Sequence, residues 1–579
     1  MSAQLLNRRG FLSLAAGMYA APALAANVSA SKWSSVSGPL GQYIERYLRT
    51  MQAPGLTLGL AGAEGPIHTQ AFGFADLAAR IPVTTAELFE IGSITKSFVA
   101  VMLLQLQEEG RLAFDHDITR YLPWLPIETD YSPVQIHHLL MHSSGLARDF
   151  PLIPHQSGAR CRQSFSPGTR FHYSNFGYAA LGRLIEKVDG RSWQLALRKR
   201  VLEPLRMTDT EPMIASLVYA RIAQSYAQQH DDRFYHRGAS LAVARKFAVE
   251  GAAGCIASTP LDMARYMSML INRGMGPTRR VLQEVSFKAL ATSHVPAGHF
   301  GPNVGYGYGF AIDKVDGHTI LRHTGGMASF MSAMHIDLDT GFGAFASINA
   351  QQDYRPNAVA RYAIKLLRAR QESKPTPEPP AVDETALATT KDYEGSYVSE
   401  GGDQIEVSGA DGALLVRIGS KRITLRHKED EQFMADEPEF AFFPWVFGRA
   451  PVQSSGGEKS DQEGAVTELS WGPRWYGRSE KAAGSRTGQD QVLQGLTGLY
   501  YSENPWAGGT RVIVRRGRLS LDDGTPLQPI GEHLFRFADE PESPETAEFL
   551  EFVDGQAQLL RVGGEDLRRI PDLAWPTIV

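Results

Sequence analysis

Ser93-Ile94-Thr95-Lys96 sets a hydroxyl and an amine three residues apart, where an apolar helix begins. A serine hydroxyl is a weak nucleophile at neutral pH and needs a base within hydrogen-bond reach. Residues i and i+3 of a helix share a face, so Lys96 can meet Ser93 without a loop to place it. The following residues Phe98, Val99, Val101, Met102, Leu103, Leu104 and Leu106 are apolar on nearly every face until Gly110 offers a stop. That is the pattern of a buried helix. An amine held at its buried end loses solvation, which lowers its pKa and leaves part of it neutral and basic. This is the chemistry of an acyl-transfer nucleophile.

Alone, Ser-x-x-Lys reads more readily as an N-cap serine with a solvated lysine in the first turn. Three further segments change its weight. In Pro167-Gly168-Thr169-Arg170-Phe171-His172-Tyr173-Ser174-Asn175 a turn leads into a short extended run, followed by an apolar helix from Ala179 to Val188. A tyrosine near a cationic lysine has its phenolate favoured and can exchange protons with a serine and a leaving group. Asn175 can donate its amide to a substrate carbonyl or to Lys96. The second segment, His323-Thr324-Gly325-Gly326, follows the strand-like Thr319-Ile320-Leu321-Arg322 and the Gly/aromatic run Gly305 to Phe310. Paired glycines at a strand end let a ligand backbone approach and leave a main-chain N–H free to face an oxyanion. The third, Leu139 to Leu146, reads as a helix ending at a Ser-Ser-Gly cap. There His142 and Ser144 are expected to hold a loop beside the site, not to catalyse.

Ser93/Lys96, Tyr173/Asn175 and His323/Gly325, in that order, resemble the serine β-lactamase and penicillin-binding-protein superfamily. The chain is most similar to its class C-like branch, with D-aminopeptidases, D-amino-acid amidases, DD-carboxypeptidases and carboxylesterases. Glu90-Ile91-Gly92, Glu203 to Thr210, Ala252-Ala253-Gly254 and Ser258 to Asp262 support the resemblance, which covers about residues 35 to 370. It implies an α+β catalytic domain: an antiparallel sheet flanked by helices, a mainly helical lobe, and a site between them. It also implies Ser93 as nucleophile, Lys96 and Tyr173 sharing the proton transfers, and the N–H groups of Ser93 and Gly326 as an oxyanion hole. Asn175, His323 and Gly325 would position the substrate.

One departure bears on substrate. Where many β-lactamases and carboxypeptidases carry Lys-Thr-Gly, this chain has His323-Thr324-Gly325. Histidine is mostly neutral at pH 7 and donates one hydrogen bond where lysine offers a fixed cation. The exchange argues against free-carboxylate recognition and favours an N-terminal D-residue, an amide or an ester. The expected activity is that of a D-aminopeptidase or D-amino-acid amide hydrolase. The alternatives are a carboxylesterase, a DD-carboxypeptidase or β-lactamase, and an inactive protein that grips peptidoglycan peptides.

Bulk properties suit an exported enzyme. A chain of 579 residues, 43% hydrophobic, is long enough for several packed domains, and its net charge of −5 offers no basic run for nucleic acid. Asn7-Arg8-Arg9-Gly10-Phe11-Leu12, an apolar stretch to Leu24 and Ala23-Leu24-Ala25 resemble a twin-arginine signal cleaved after Ala25. Periplasmic or secreted placement is therefore expected, with no integral membrane segment in the mature chain. Cys161 and Cys255, the two cysteines, are read as thiols and not as a bridge. No metal-ligand spacing, Walker motif or dinucleotide glycine motif appears, so no metal or cofactor is expected and the partner is a small-molecule or short-peptide substrate.

Beyond a helix from Arg361 to Arg370, the proline-rich stretch Lys374 to Pro380 reads as a stiff linker over 371–388. Short alternating strands follow, such as Gly412 to Ile418 and Arg422 to Leu425. Gly395-Ser396-Tyr397 recurs as Gly498-Leu499-Tyr500, and Ala435 to Glu439 recurs as Ala538 to Glu542, both 103 residues apart. Two similar antiparallel β-barrel-like modules are expected, at 389–485 and 490–579, after a catalytic domain at 30–370. Ser454 to Glu463 reads as a polar hairpin loop of the first. The pair resembles the C-terminal β-domains of D-aminopeptidases, which can lend the cleft a loop.

Overall fold

The computed structural model describes residues 33–571 apart from 153–159, 231, 250, 351–355, 384, 451–463, 479–490, 505, 507 and 539–541. The twin-arginine-like stretch and the loop expected at 454–463 lie outside the described residues.

Nine strands form one antiparallel sheet: β1 (Gly55–Gly62), β2 (Gly65–Asp76), β3 (Ile81–Pro82), β4 (Val295–Pro296), β5 (Gly305–Tyr306), β6 (Ala311–Val315), β7 (His318–Met327), β8 (Phe330–Asp337) and β9 (Phe342–Ile348). Their order is β4-β5-β6-β7-β8-β9-β1-β2-β3. The central strands β1, β8 and β9 are buried along nearly their whole length, because helices cover both faces. On one face lie α1 (Ser34–Met51) and the helix Pro356–Gln371. The residues Val36, Leu40, Tyr43, Ile44 and Tyr47 of α1 recur at helical spacing and pack on Leu56, Leu58 and Leu60 of β1.

The opposite face carries the helical lobe, with α2 (Thr95–Glu108), α3 (Ile136–Leu140), α4 (Asn175–Asp189) and α5 (Pro260–Ile271). Every residue of α2 from Thr95 to Leu106 is buried, as its all-round apolar sequence requires. Helix α5 lies so close to the sheet that a Cβ on Gly59 would fall 2.4 Å from the Pro260 carbonyl oxygen. Its Asp262 accepts from the N–H groups of Asp209 and Thr210 and from the Thr210 hydroxyl, each at 2.9 Å. Two of the stretches that carry the family resemblance thus meet at one carboxylate. The helix expected from Arg361 is α6, longer than foreseen because it starts at Pro356.

Past α6 the chain runs without helix or strand among the described residues to 394, with Tyr362 donating to the Pro377 carbonyl at 3.2 Å. Eight strands then close a barrel: β10 (Gly395–Ser399), β11 (Gln404–Ala410), β12 (Ala413–Ile418), β13 (Lys421–Glu429), β14 (Gln432–Ala435), β15 (Trp445–Arg449), β16 (Val466–Trp471) and β17 (Arg474–Gly477). Trp445, Trp471, Phe433 and Phe447 fill it. A second eight-stranded unit comprises β18 (Gly498–Tyr501), β19 (Gly509–Arg515), β20 (Arg518–Leu521), β21 (Leu527–Pro529), β22 (Leu534–Phe537), β23 (Thr546–Val553), β24 (Gln556–Val562) and β25 (Glu565–Ile570). Its order is β20-β19-β18-β25-β24-β23-β22-β21, and a bridge from Ser520 to Pro526 draws its ends together.

The sequence repeat is a structural one. Gly395 and Gly498 open equivalent strands at φ of +138° and +149°, each with an arginine side chain, Arg478 or Arg569, where a Cβ would stand. Tyr397 and Tyr500 each donate to the carbonyl four residues earlier, at 2.8 and 2.9 Å. Cys161 and Cys255 are buried and form no disulfide. Among the described residues no helix is long and apolar enough to cross a membrane.

Candidate active site

Ser93 sits in a single 3₁₀ turn, Gly92–Ile94, that runs straight into α2. Gly92 has φ of +53°, and a Cβ there would lie 2.8 Å from the carbonyl oxygen and 2.9 Å from the nitrogen of Gly326. A Cβ on Gly325 would fall 1.9 Å from the Ile91 oxygen. The serine turn and the end of β7 therefore lie backbone against backbone, a contact that side chains at these glycines would forbid. The sequence reading expected these glycines to admit a ligand backbone; what lies against Gly325 is the chain's own serine turn, with Gly325 and Gly326 both inside β7.

Lys96 is fully buried, and its Nζ lies 3.0 Å from Ser93 Oγ, 2.8 Å from Asn175 Oδ1 and 2.8 Å from the Ala253 carbonyl oxygen. Burial pushes its pKa well below the usual lysine range, and the neighbouring Asp149 offsets this only in part. The two carbonyls can only accept. A neutral amine gives its two N–H bonds to them, and its lone pair is then left facing the Ser93 hydroxyl. The amine is thus oriented as a base by acceptors alone.

Tyr173, half-buried, shares a hydrogen bond with Ser93, and its ring centroid is 4.9 Å from Lys96 Nζ. Burial raises the phenol's pKa, and the Ser93 hydrogen bond lowers it less. The expected stabilisation of a phenolate is therefore reversed, because the adjacent lysine is itself discharged by burial. Tyr173 stands as a neutral phenol.

Asn175 starts α4, whose N-cap Ser174 accepts from the Gly177 N–H at 3.0 Å. Its carbonyl oxygen turns to Lys96, while its Nδ2 donates to Asp149 Oδ1 at 2.9 Å. The sequence suggested an amide donated to Lys96; the observed orientation is the opposite, because the amine is the donor.

His323 is buried, with Nδ1 2.6 Å from the Thr324 carbonyl and Nε2 3.0 Å from the Tyr306 hydroxyl. A carbonyl can only accept, so Nδ1 carries the proton and Nε2 accepts from Tyr306. Burial, with Lys96 and Arg322 nearby, pushes its pKa down to about 3. The neutral state agrees with the sequence reading. The hydrogen bond expected toward substrate does not form part of this arrangement, since both ring nitrogens are engaged within the protein.

His142 accepts the Ser174 N–H at Nδ1, 3.0 Å away, and stacks on Tyr173 with ring centroids 4.2 Å apart. It holds the segment that carries Tyr173, as expected. The Ser144 carbonyl, in the same loop, accepts from Gln163. Sequence reasoning missed the Ala253 carbonyl, Tyr306 and Asp149. A carbonyl has no residue-type signal, whereas Tyr306 lay in the Gly/aromatic run just before the His-Thr-Gly strand, a readable signal. Elsewhere, His318, Asp337 and Asp339 bring ligand-type atoms within 4.8 Å of one another, but Asp337 is taken by Arg368 at 2.5 Å.

Comparison with known proteins agrees with this geometry. Penicillin-binding protein 4 of Amycolatopsis lactamdurans is 26% identical over 364 residues, 59% of this chain and 94% of that protein. Penicillin-binding protein 4* of Bacillus subtilis (strain 168) is 24% identical over 411 residues, 66% of this chain and 88% of that protein. The octameric penicillin-binding protein homologue from Pyrococcus abyssi shares the fold, with a TM-score of 0.54 and 24% identity over 76% of this chain and 99% of that one. The Beta-lactamase family model matches residues 40–369, more than half the chain and the whole stretch that holds the serine turn, the Tyr173 segment and the His323 strand. On that match, the chain belongs to the Beta-lactamase family and is a serine hydrolase of the β-lactamase and penicillin-binding-protein type.

Proposed function

We propose that the protein is an exported hydrolase that works through an acyl-enzyme on amide or peptide bonds of D-residue substrates, as a D-aminopeptidase or D-amino-acid amide hydrolase. The observation that carries the mechanism is the buried Lys96 amine, bound to two carbonyls and 3.0 Å from Ser93 Oγ. Ser93 attacks the carbonyl carbon while Lys96 takes its proton. Neutral Tyr173 relays a proton to the departing nitrogen as the C–N bond breaks. Water then attacks the ester, its proton passing back through the same groups, and Ser93 is released. The N–H groups of Ser93 and Gly326 receive the oxyanion, each contributing roughly 3–4 kcal/mol. Gly325 keeps the serine turn against β7, beside which the substrate lies, and the second Asn175 N–H is the donor for a substrate carbonyl.

The substrate class is supported by His323. Where a lysine would present a cation to a free carboxylate, a neutral ring with both nitrogens engaged presents none. Division at 371–388 into a catalytic part and two β-modules, and export through residues 1–25, belong to the same reading. Ser93→Ala should abolish labelling by a fluorophosphonate probe with the fold intact; undiminished labelling of that variant refutes the nucleophile. A panel of D-amino-acid amides, D-alanyl-D-alanine peptides, nitrocefin and p-nitrophenyl esters tests the specificity. Faster turnover of nitrocefin or of a free-carboxylate peptide than of any D-amino-acid amide overturns it.

A further inference from the structure

We infer that the second β-module is a working part of the active site, and that Glu545 is a positioning residue for the Ser93–Lys96 pair. The inference rests on the roles given above to Ser93, Lys96 and Asn175.

Glu545 lies in the segment between β22 and β23. Its Oε1 accepts from the Arg148 N–H at 2.5 Å and faces His172 Nε2 at 3.1 Å. The carboxylate is 16% exposed and the imidazole 10%, so the contact is a sheltered one and not a solvated surface pair. One carboxylate thereby ties together two catalytic-domain segments that are 24 positions apart in sequence. One leads to Asp149, the other to Tyr173.

The same module grips the first segment a second time. Gly563 and Gly564 form the turn between β24 and β25. A Cβ on Gly563 would lie 2.5 Å from the Asp149 carbonyl oxygen, and one on Gly564 would lie 2.9 Å from Pro151 Cδ. The turn is thus seated against residues 149–151 by its backbone. At the periphery Arg170 pairs with Glu542 at 2.8 Å.

From this clamp a continuous line of hydrogen bonds reaches the reacting atoms. The Arg148 carbonyl accepts from the Asn175 and Phe176 N–H groups at 2.7 and 3.1 Å. Asp149 Oδ1 accepts from Asn175 Nδ2 at 2.9 Å, and Asn175 Oδ1 accepts from Lys96 Nζ at 2.8 Å. The Asp149 side chain is exposed, so its segment is held from one side by the residue 175–176 N–H groups and from the other by the docked module. Without Glu545 the Arg148–Asp149 segment loses its brace on the module side, the Asn175 amide is held less firmly, and the Lys96 lone pair is aimed less closely at Ser93. Placement errors of this size reduce rate more than binding.

The test uses the full chain and two variants. Glu545→Ala removes the acceptor. Gly563→Asn keeps the turn, since asparagine tolerates positive φ, but drives its Cβ into the Asp149 carbonyl. Each should lower kcat for a p-nitrophenyl ester and the rate of Ser93 labelling by a fluorophosphonate at least tenfold, with KM within threefold and unchanged circular dichroism. Glu545→Gln, which retains an oxygen for the Arg148 N–H, should restore most of the rate. Wild-type kcat in both Glu545→Ala and Gly563→Asn overturns the inference, as does a change confined to KM. Loss of folding in Glu545→Ala leaves Gly563→Asn and Glu545→Gln to decide. Should Ser93→Ala still be labelled, the site assignment fails first, and that result is distinct from either variant's.

Discussion

Tyr306 gives its hydroxyl hydrogen to Nε2 of His323 across 3.0 Å, inside a cluster of rings. Its centroid is 5.0 Å from His142, 5.4 Å from Phe171 and 5.7 Å from Phe300. The hydroxyl thus holds the β7 histidine in one tautomer. Tyr306→Phe leaves a buried acceptor unmet and should cost about 1–3 kcal/mol of stability, measured by urea unfolding. Activity should fall much less than in Ser93→Ala; full loss of activity with unchanged stability would place Tyr306 against substrate instead.

Burial pushes His323 and His335 down to about 3 in the folded protein, against 6.5 for a free histidine. Between those values the unfolded chain binds protons that the folded one does not, so stability falls as pH drops through the window from about 6.5 to about 3. Each histidine contributes up to about 1.4 kcal/mol per pH unit. Unfolding midpoints between pH 4 and 7.5 should show this slope, and His335→Gln should make it shallower. An equal slope in that variant would contradict the assignment.

Burial holds the Lys96 amine well below the usual lysine range, so Ser93 acylation should reach its plateau at a lower pH than an ordinary lysine would allow. An acid limb close to pH 10 would mean that the amine keeps its solution behaviour. Lys96→Met should slow labelling by about 10²–10⁴-fold, the span of a lost general base, with the fold retained.

Tyr173→Phe keeps the ring that stacks on His142 and removes only the hydroxyl. Its effect should fall on turnover, about 10²–10⁴-fold, and be larger for amides than for p-nitrophenyl esters, whose leaving group needs no proton. Equal losses on both substrates would remove Tyr173 from leaving-group protonation.

Gly325→Ala sets a methyl 1.9 Å from the Ile91 oxygen, which backbone must relieve. Parting β7 from the serine turn should cost about 1–3 kcal/mol and most of the activity, read by thermal unfolding and probe labelling. A fully active variant would show that the two backbones need not touch.

What the sequence made legible was local. A hydroxyl and an amine three residues apart on a buried helix cannot avoid each other, so Ser93 and Lys96 were readable together with the sign of the lysine's shift. The 103-residue offset exposed two like modules because Gly395 and Gly498 share a backbone conformation few residues adopt. Polarity and direction were not legible. Which end of the Asn175 amide faces Lys96 depends on Asp149, and the state of Tyr173 depends on whether Lys96 is charged. The engagement of His323 depends on Tyr306, and the Ala253 carbonyl is a backbone atom common to every residue. Each is settled by packing between segments far apart in the chain, which no spacing rule encodes.

The hydrogen bond from Arg148 to Glu545 spans 397 positions. Synthesis proceeds from the N-terminus, so a growing polypeptide holds its nucleophile and amine long before it holds the carboxylate that braces them. Until Glu545 emerges, the Arg148 N–H lacks this acceptor. If Glu545 braces the Ser93–Lys96 pair as inferred, the hydrolytic centre is completed only late in synthesis.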